Sequence, residues 1–337
     1  MKIRLVASIT LALALLASLP AFAQKKPQQQ VKPIAGPRAA ALRVSILYVA
    51  PDPSSEKVDR VQIGREMVVA EKSGPWLRVY ANTDIEEVRG KDAPVFDTND
   101  TPPPVSGWME AKGVVIETTP NGDQILMGEA ANQESLASDP RGPANAAKSA
   151  RLLYRRLVEM FPNSPLVPEA AWRAADDLWQ LQKADAASRS SAKERDPYMR
   201  DQMDEEELKK VIKYYPHTRQ ADLAAFELID NKLCGDWQGL PKCPEMEAGL
   251  YEMYANRYPD SPKAAEALYN ATYRQGVLVE MYMVQDDKKR SQQAAANAVG
   301  LAAELKLKYP QSDYAARAAS IAYRVQQKIP VYGNDRD

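Results

Sequence analysis

The apolar positions along this chain fall into three regimes. From Leu5 to Leu19 they run almost unbroken, behind Lys2 and Arg4 and ahead of Pro20-Ala21-Phe22-Ala23. A positive start, an apolar middle and a small-x-small exit predict a secretory signal peptide over 1–23, cleaved after Ala23. The run is short for a bilayer-spanning helix, and no later stretch is long and apolar enough to be one, so no stable membrane span is expected after cleavage. Residues 24–39 mix Gln, Lys and Pro with little to bury and predict a flexible linker.

The second regime is short and alternating. Leu42–Val49, Val58–Ile63, Glu66–Glu71, Trp76–Tyr80 and a final stretch from Gly107 to Ile116 are rich in β-branched and aromatic residues. Turn chemistry separates them: Pro51-Asp52-Pro53-Ser54, Gly64-Arg65 and Ser73-Gly74-Pro75. Strands this short at this spacing predict a small β-barrel over 40–117. An acidic insertion at 82–105, ending in Pro102-Pro103-Pro104, has too few apolar residues to add to a core and is expected to be a loop without ligand contact. Residues 118–142 are expected to be a second linker.

From 143 to 328 the period changes to that of a helix. Ala150, Leu153, Tyr154, Leu157, Val158 and Phe161 step by threes and fours, as do Leu208, Val211, Ile212 and Tyr215. Four times such a stripe closes on an aromatic-proline phrase: Phe161-Pro162-Asn163-Ser164, Tyr215-Pro216-His217-Thr218, Tyr258-Pro259-Asp260-Ser261 and Tyr309-Pro310-Gln311-Ser312. Proline disfavours helical geometry in the residue before it, so each phrase ends a helix. The Ser or Thr can cap the next helix, and Pro165 and Pro262 fit a first helical position. Four antiparallel helix pairs stacked as an α-solenoid follow, with a short tail at 329–337.

Two resemblances sharpen this β-plus-α reading. Leu47-Tyr48-Val49 with Pro-x-Pro-Ser, Ile63-Gly64, Ser-Gly-x-Trp at 73–76 and Gly-Trp at 107–108 resemble a bacterial SH3 domain. Ala50-Pro51-Asp52 and the insertion depart from that pattern. The aromatic-Pro-x-Ser phrases, each followed by an Ala-rich helix, resemble tetratricopeptide-like repeats of bacterial envelope proteins, although the spacings of 43 to 54 residues (161 to 215, 215 to 258, 258 to 309) exceed an ideal period. The first resemblance implies an SH3-like barrel that binds cell wall peptide or a protein segment. The second implies a TPR-like solenoid that binds a protein partner and carries no chemistry. Tyr48 and Tyr80 are candidate ligand contacts, as phenols on a barrel surface offer an apolar face and a polar tip. Trp76 and Trp108 stand at signature positions, where Trp mostly packs a core or hairpin, and are weaker candidates; for Tyr48 and Tyr80 packed edge aromatics are the alternative.

Composition narrows the chemistry. Lys plus Arg number 44 against 45 Asp plus Glu, which gives no basic footprint for nucleic acid. The single histidine, His217, fills a turn slot held by Asn, Asp or Gln in the other phrases and reads as a solvated turn residue. One histidine speaks against His-based metal cages and Ser-His-Asp or Cys-His nucleophiles, so no enzyme activity, metal or cofactor is expected. The acidic run at Asp201 and Asp204–Glu207 reads as a complement to a helix N-terminus, and Lys288-Lys289-Arg290 is too short for a polybasic patch.

The only two cysteines, Cys234 and Cys243, follow a signal peptide and enclose GDWQGLPK, which can turn back on itself. A structural disulfide between them is expected. The leading functional expectation is a non-catalytic periplasmic or secreted envelope adaptor, with peptidoglycan peptide stems or a protein segment at the barrel and a protein at the repeats. The alternatives are an assembly or trafficking component working mainly through its repeats, or an accessory subunit of a cell-wall hydrolase.

Overall fold

The computed structural model describes residues 35–84 and 105–332; the expected signal peptide, most of the first linker, and insertion residues 85–104 lie outside them. Strands β1 (Arg38–Ala41), β2 (Ser45–Tyr48), β3 (Lys57–Val61), β4 (Glu66–Ser73), β5 (Trp76–Ala81), β6 (Val105–Glu110) and β7 (Val114–Ile116) form one antiparallel sheet in the order β3-β2-β6-β5-β4-β1-β7. Alternation decides its faces. Ala39, Ala41, Leu47, Val61, Met67, Val69, Leu77, Val79, Ala81 and Met109 turn to one side and make a single buried cluster. Gly107 lets β6 meet β2, because a Cβ there would sit 3.0 Å from that of Leu47.

Helices α1 (Gly122–Ser138), α2 (Ala146–Met160), α3 (Val167–Ser188), α4 (Glu206–Tyr214), α5 (Arg219–Glu227), α6 (Lys242–Arg257), α7 (Ala264–Val284), α8 (Lys288–Lys308) and α9 (Asp313–Gln326) follow. Each aromatic-proline phrase ends its helix in the same way. Phe161, Tyr215, Tyr258 and Tyr309 leave helical geometry with φ between −125° and −131°, and each N–H still reaches the carbonyl four residues back. Thr218 and Ser312 then cap α5 and α9, accepting the N–H of Ala221 and Tyr314. The expectation for Pro165 and Pro262 is corrected: α3 and α7 begin two residues later, and both prolines lie in the preceding turn. Asp204 accepts the N–H of Glu206 at 2.9 Å and opens α4, while Asp201 holds Arg189 and Ser191 in the preceding connection.

Three other expectations change. Arg38 and Ala39, assigned to the first linker, begin β1 with Ala39 fully buried. The expected linker at 118–142 carries α1, which packs on α2 through Leu126 and Ala130. Residues 329–332, expected as tail, return to the helices.

The sheet and the helices are not separate bodies. Ala40 and Val115 are paired across β1 and β7, point away from the sheet interior, and enter a cluster with Leu126 and Ala130 of α1 and Ala150, Leu153 and Leu157 of α2. Gly64, at φ 76°, lies so close to α2 that a Cβ would come within 2.6 Å of that of Leu152. Beside this apolar seam runs an ionic one. Arg156 of α2, 1% exposed, pairs with Glu66 of β4, with Glu159 at 2.9 Å and with Asp84 at 3.7 Å. Arg38 grips both carboxylate oxygens of Glu66 at 2.9 Å and reaches Glu159 at 2.8 Å; Arg65 meets Asp84 at 3.1 Å. Burial raises the Glu66 pKa, but the hydrogen bonds from Arg38 and the charge of Arg156 outweigh it and hold the group below its usual range. For Asp84 burial wins over Arg156 and Arg65, and its carboxyl is raised.

Candidate functional site

The outward face of β2, β6 and β5 gathers aromatic side chains that are distant in sequence. Tyr48 stands opposite Trp108, Trp108 opposite Arg78, and Trp76 opposite Glu110. All three aromatics are half-buried, because the inward positions that alternate with them are taken by Leu47, Leu77, Val79 and Met109. The rings of Tyr48 and Trp76 meet edge to face, 5.8 Å apart at 87°. Such pairs favour a rigid surface over mobile rings.

Charge surrounds this patch. Arg78 lies 4.0 Å from Glu71, and Arg43 bonds Glu110 at 2.9 Å. Lys57 of β3 is paired with Tyr48. A hollow of about 160 Å³ opens beside Tyr48, lined by Arg43, Val44, Ser45, Ile46 and Glu110. Val44 also lines it and is exposed, as are Val49 after β2 and Val58 of β3. The patch offers ring faces, a shallow hollow of mixed polar and apolar lining, and charges of both signs.

Of the four sequence-predicted residues, Tyr48, Trp76 and Trp108 come together. Tyr80 shares their outward face but stands opposite Ser106 and Val68, toward Gly36, whose Cβ would lie 2.9 Å from Val68. Tyr80 therefore borders the patch on the side of β4. Period-two alternation is the signal that ties Arg78 and Glu110 to the same face; it is present in the sequence, but pairing register is needed to bring them beside Trp108 and Trp76.

The helical array has its own features. Helices α1, α3, α5, α7 and α9 form one layer, tied across neighbours by Arg173–Glu134 at 2.7 Å, Gln220–Glu169 at 2.9 Å and the Tyr269–Tyr314 ring pair at 5.4 Å. On this layer burial, then the charges of Glu134 and Asp176, push the Asp177 carboxyl up to about 7. Burial, then Asp176 and Asp230, do the same to Glu227. The aromatic-proline turns make one edge, where the Tyr309 hydroxyl donates to the carbonyl of Pro259 at 2.6 Å. His217 is the only residue of the four phrases with positive φ, at 62°. It lines a cleft of about 530 Å³ between the second and third turns, with Arg219, Asp222, Arg257 and Asp260.

Cys234 and Cys243 form a disulfide, with Cα atoms 6.1 Å apart. Its loop covers a buried ion pair: Glu247, inaccessible to solvent, accepts from the Cys234 N–H and from the Trp237 indole and pairs with Arg274 at 2.9 Å. Among the described residues no group of three His, Cys, Asp or Glu side chains could hold a metal ion, and no helix is long and apolar enough to cross a membrane.

No protein-family model matches the chain, and no curated protein matches it. Among solved structures, the chain is similar to the de novo designed helical repeat protein DHR64, at 16% identity and a TM-score of 0.24 over 61% of this chain and 94% of that one. It is also similar to the DHF58 filament, at 15% identity and a TM-score of 0.24 over 61% and 93% of the two chains. At these TM-scores neither likeness bears on function.

Proposed function

We propose that this protein is an exported, non-catalytic envelope adaptor with an SH3-like sheet domain and TPR-like repeats. In this reading the Tyr48–Trp76–Trp108 face takes a cell-wall peptide stem or a protein segment, and the helical array holds a protein partner. The convergence of three aromatics from three different strands on one outward face supports it most directly. Two weak sites on one chain gain avidity when both targets lie within reach.

The test is retention on purified sacculi. Replacing both Trp76 and Trp108 by Ala is expected to lower binding at least about tenfold, as loss of central aromatic anchors does, with the helical content unchanged. Retention equal to that of the parent would remove the sheet face from the reading.

A second reading is an assembly or trafficking component that acts through its helices. The core shared between β1, β7, α1 and α2 favours it, since such a sheet serves as an end cap for the array. In that case the double variant keeps its partner while sacculi bind neither protein. An accessory subunit of a cell-wall hydrolase is the remaining alternative, tested by whether the protein raises a hydrolase's rate on the same sacculi.

A further inference from the structure

After α9 the chain reverses and lies back on the array. Lys328 turns it at φ 58°, while the N–H of Lys328 and Ile329 return to the carbonyls of Val325 and Arg324. This is a helix stop that usually takes glycine, and here a lysine adopts it. Beyond Ile329, the next three residues are held individually. Arg324 donates from Nε and Nη2 to the carbonyl of Pro330. Glu280 of α7 accepts the N–H groups of Val331 and Tyr332, each at 3.1 Å.

The two side chains have seats of their own. Val331 packs with Ile321 and Val325 of α9 and Ala298 of α8. Gly276 of α7 makes the room, since a Cβ there would stand 3.3 Å from both Val331 methyls. The Tyr332 ring lies 5.7 Å from that of Trp237, in the disulfide loop. A guanidinium on one carbonyl, a carboxylate on two successive amides and two side-chain seats are the means by which proteins read a peptide segment.

Its grip on solvent-facing residues is light. Ile329 and Tyr332 remain 39% and 36% exposed, so Val331 carries most of the apolar contact. A segment tethered this close has an effective concentration on the order of millimolar, which suffices to fill a weak site. We infer that the groove between α7 and α9 is a peptide-binding site closed in cis by Pro330-Val331-Tyr332, and that its partner is a protein segment carrying the same proline, β-branched, aromatic order. The inference rests on the reading of the helical array as a protein-binding surface.

The experiment uses the full chain and the hexapeptide acetyl-Lys-Ile-Pro-Val-Tyr-Gly-amide, titrated by calorimetry. The parent and a full-length variant with Val331→Gly and Tyr332→Gly are compared. The loosened variant is expected to bind the peptide at least about tenfold more tightly than the parent, and Glu280→Ala in that background is expected to abolish the gain. Equal affinity, or no binding to the loosened variant, would show that the opened groove does not take a free peptide and would overturn the inference.

Hydrogen exchange in the unaltered chain decides the matter if the loosened variant does not fold. Saturating peptide should speed exchange at the Val331 and Tyr332 amides, and unchanged rates sink the proposal. Crosslinking separates the two levels. A partner mapped to other helices, with no peptide effect, removes this groove alone, whereas a partner mapped to no helix removes the reading beneath it.

Discussion

Asp177 carries an acid–base tension that its neighbours only partly relieve. Its Oδ2 is buried without a hydrogen-bond donor, and Glu134 and Asp176 face it from α1 and α3, against Arg173 of α3 and Arg151 of α2. A carboxyl whose folded pKa lies above its unfolded value binds its proton more tightly when folded. That contribution is present at low pH and is lost as pH rises from the ordinary carboxylate range to about 7. Asp177→Asn should therefore gain on the parent by about 1–2 kcal/mol between about pH 5 and about pH 8, after allowance for solvent screening. Chemical denaturation at the two pH values checks the sign. A gain that is the same at both would mean that the carboxyl is already ionised at the lower one. Arg156 is the opposite case, a cation buried with its partners. Arg156→Met leaves Glu66 and Asp84 without their shared charge and is expected to cost about 3–5 kcal/mol, read from the denaturation midpoint.

At the scale of the element, the aromatic-proline phrase does more than stop a helix. In the third phrase the hydroxyl of Tyr254, one turn before Tyr258, donates to the carbonyl of Asp222 at 2.8 Å and meets Ser261 Oγ at 2.6 Å. One helix end is thus fixed both to its own turn and to the neighbouring hairpin. Tyr254→Phe should lose about 1–2 kcal/mol, a cost set by the hydrogen bonds it leaves unmade in a buried place. The disulfide loop acts on the same scale. It spans the junction between α5 and α6, and it sets the Trp237 ring beneath the Arg274 guanidinium at 5.6 Å. Replacing both cysteines by Ala is expected to cost about 2–3 kcal/mol on the chain-entropy estimate. Equal midpoints for oxidised and reduced protein would show that Glu247 and Arg274 hold the loop without it.

For the whole molecule the decisive feature is the seam between sheet and helices. Ala40, Val115, Gly64 and the Arg156 cluster join strands to α1 and α2 through contacts up to about 120 residues apart in sequence, as in Arg38–Glu159. Unfolding the sheet would expose the buried face of α2, so the two parts should melt in one transition. Tryptophan fluorescence of a variant in which Trp172, Trp179 and Trp237 of the helical region are replaced by Phe, leaving Trp76 and Trp108 of the sheet, and helical circular dichroism of the same variant should give coincident curves. Two separated transitions would contradict this coupling. Arg156→Met should move both probes together.

What the sequence determines by itself is what local chemistry enforces. The helix stops at Phe161, Tyr215, Tyr258 and Tyr309 are legible because proline restricts the preceding residue wherever it occurs. The strands around Tyr48, Trp76 and Trp108 are legible from alternation, and the Cys234–Cys243 bond from there being two cysteines on either side of a short turn-rich stretch. β1 is not legible, since Arg-Ala-Ala-Ala has little strand preference and forms only because β4 and β7 flank it. α1 is missed for a related reason: few of its residues are large and apolar, and Leu126 and Ala130 gain their burial from α2. The tertiary structure alone decides that Arg156 is buried, that Ala40 faces helices, and that Val331 returns to Gly276. Each of these depends on partners far along the chain, and a local pattern carries no information about which distant surface will cover it.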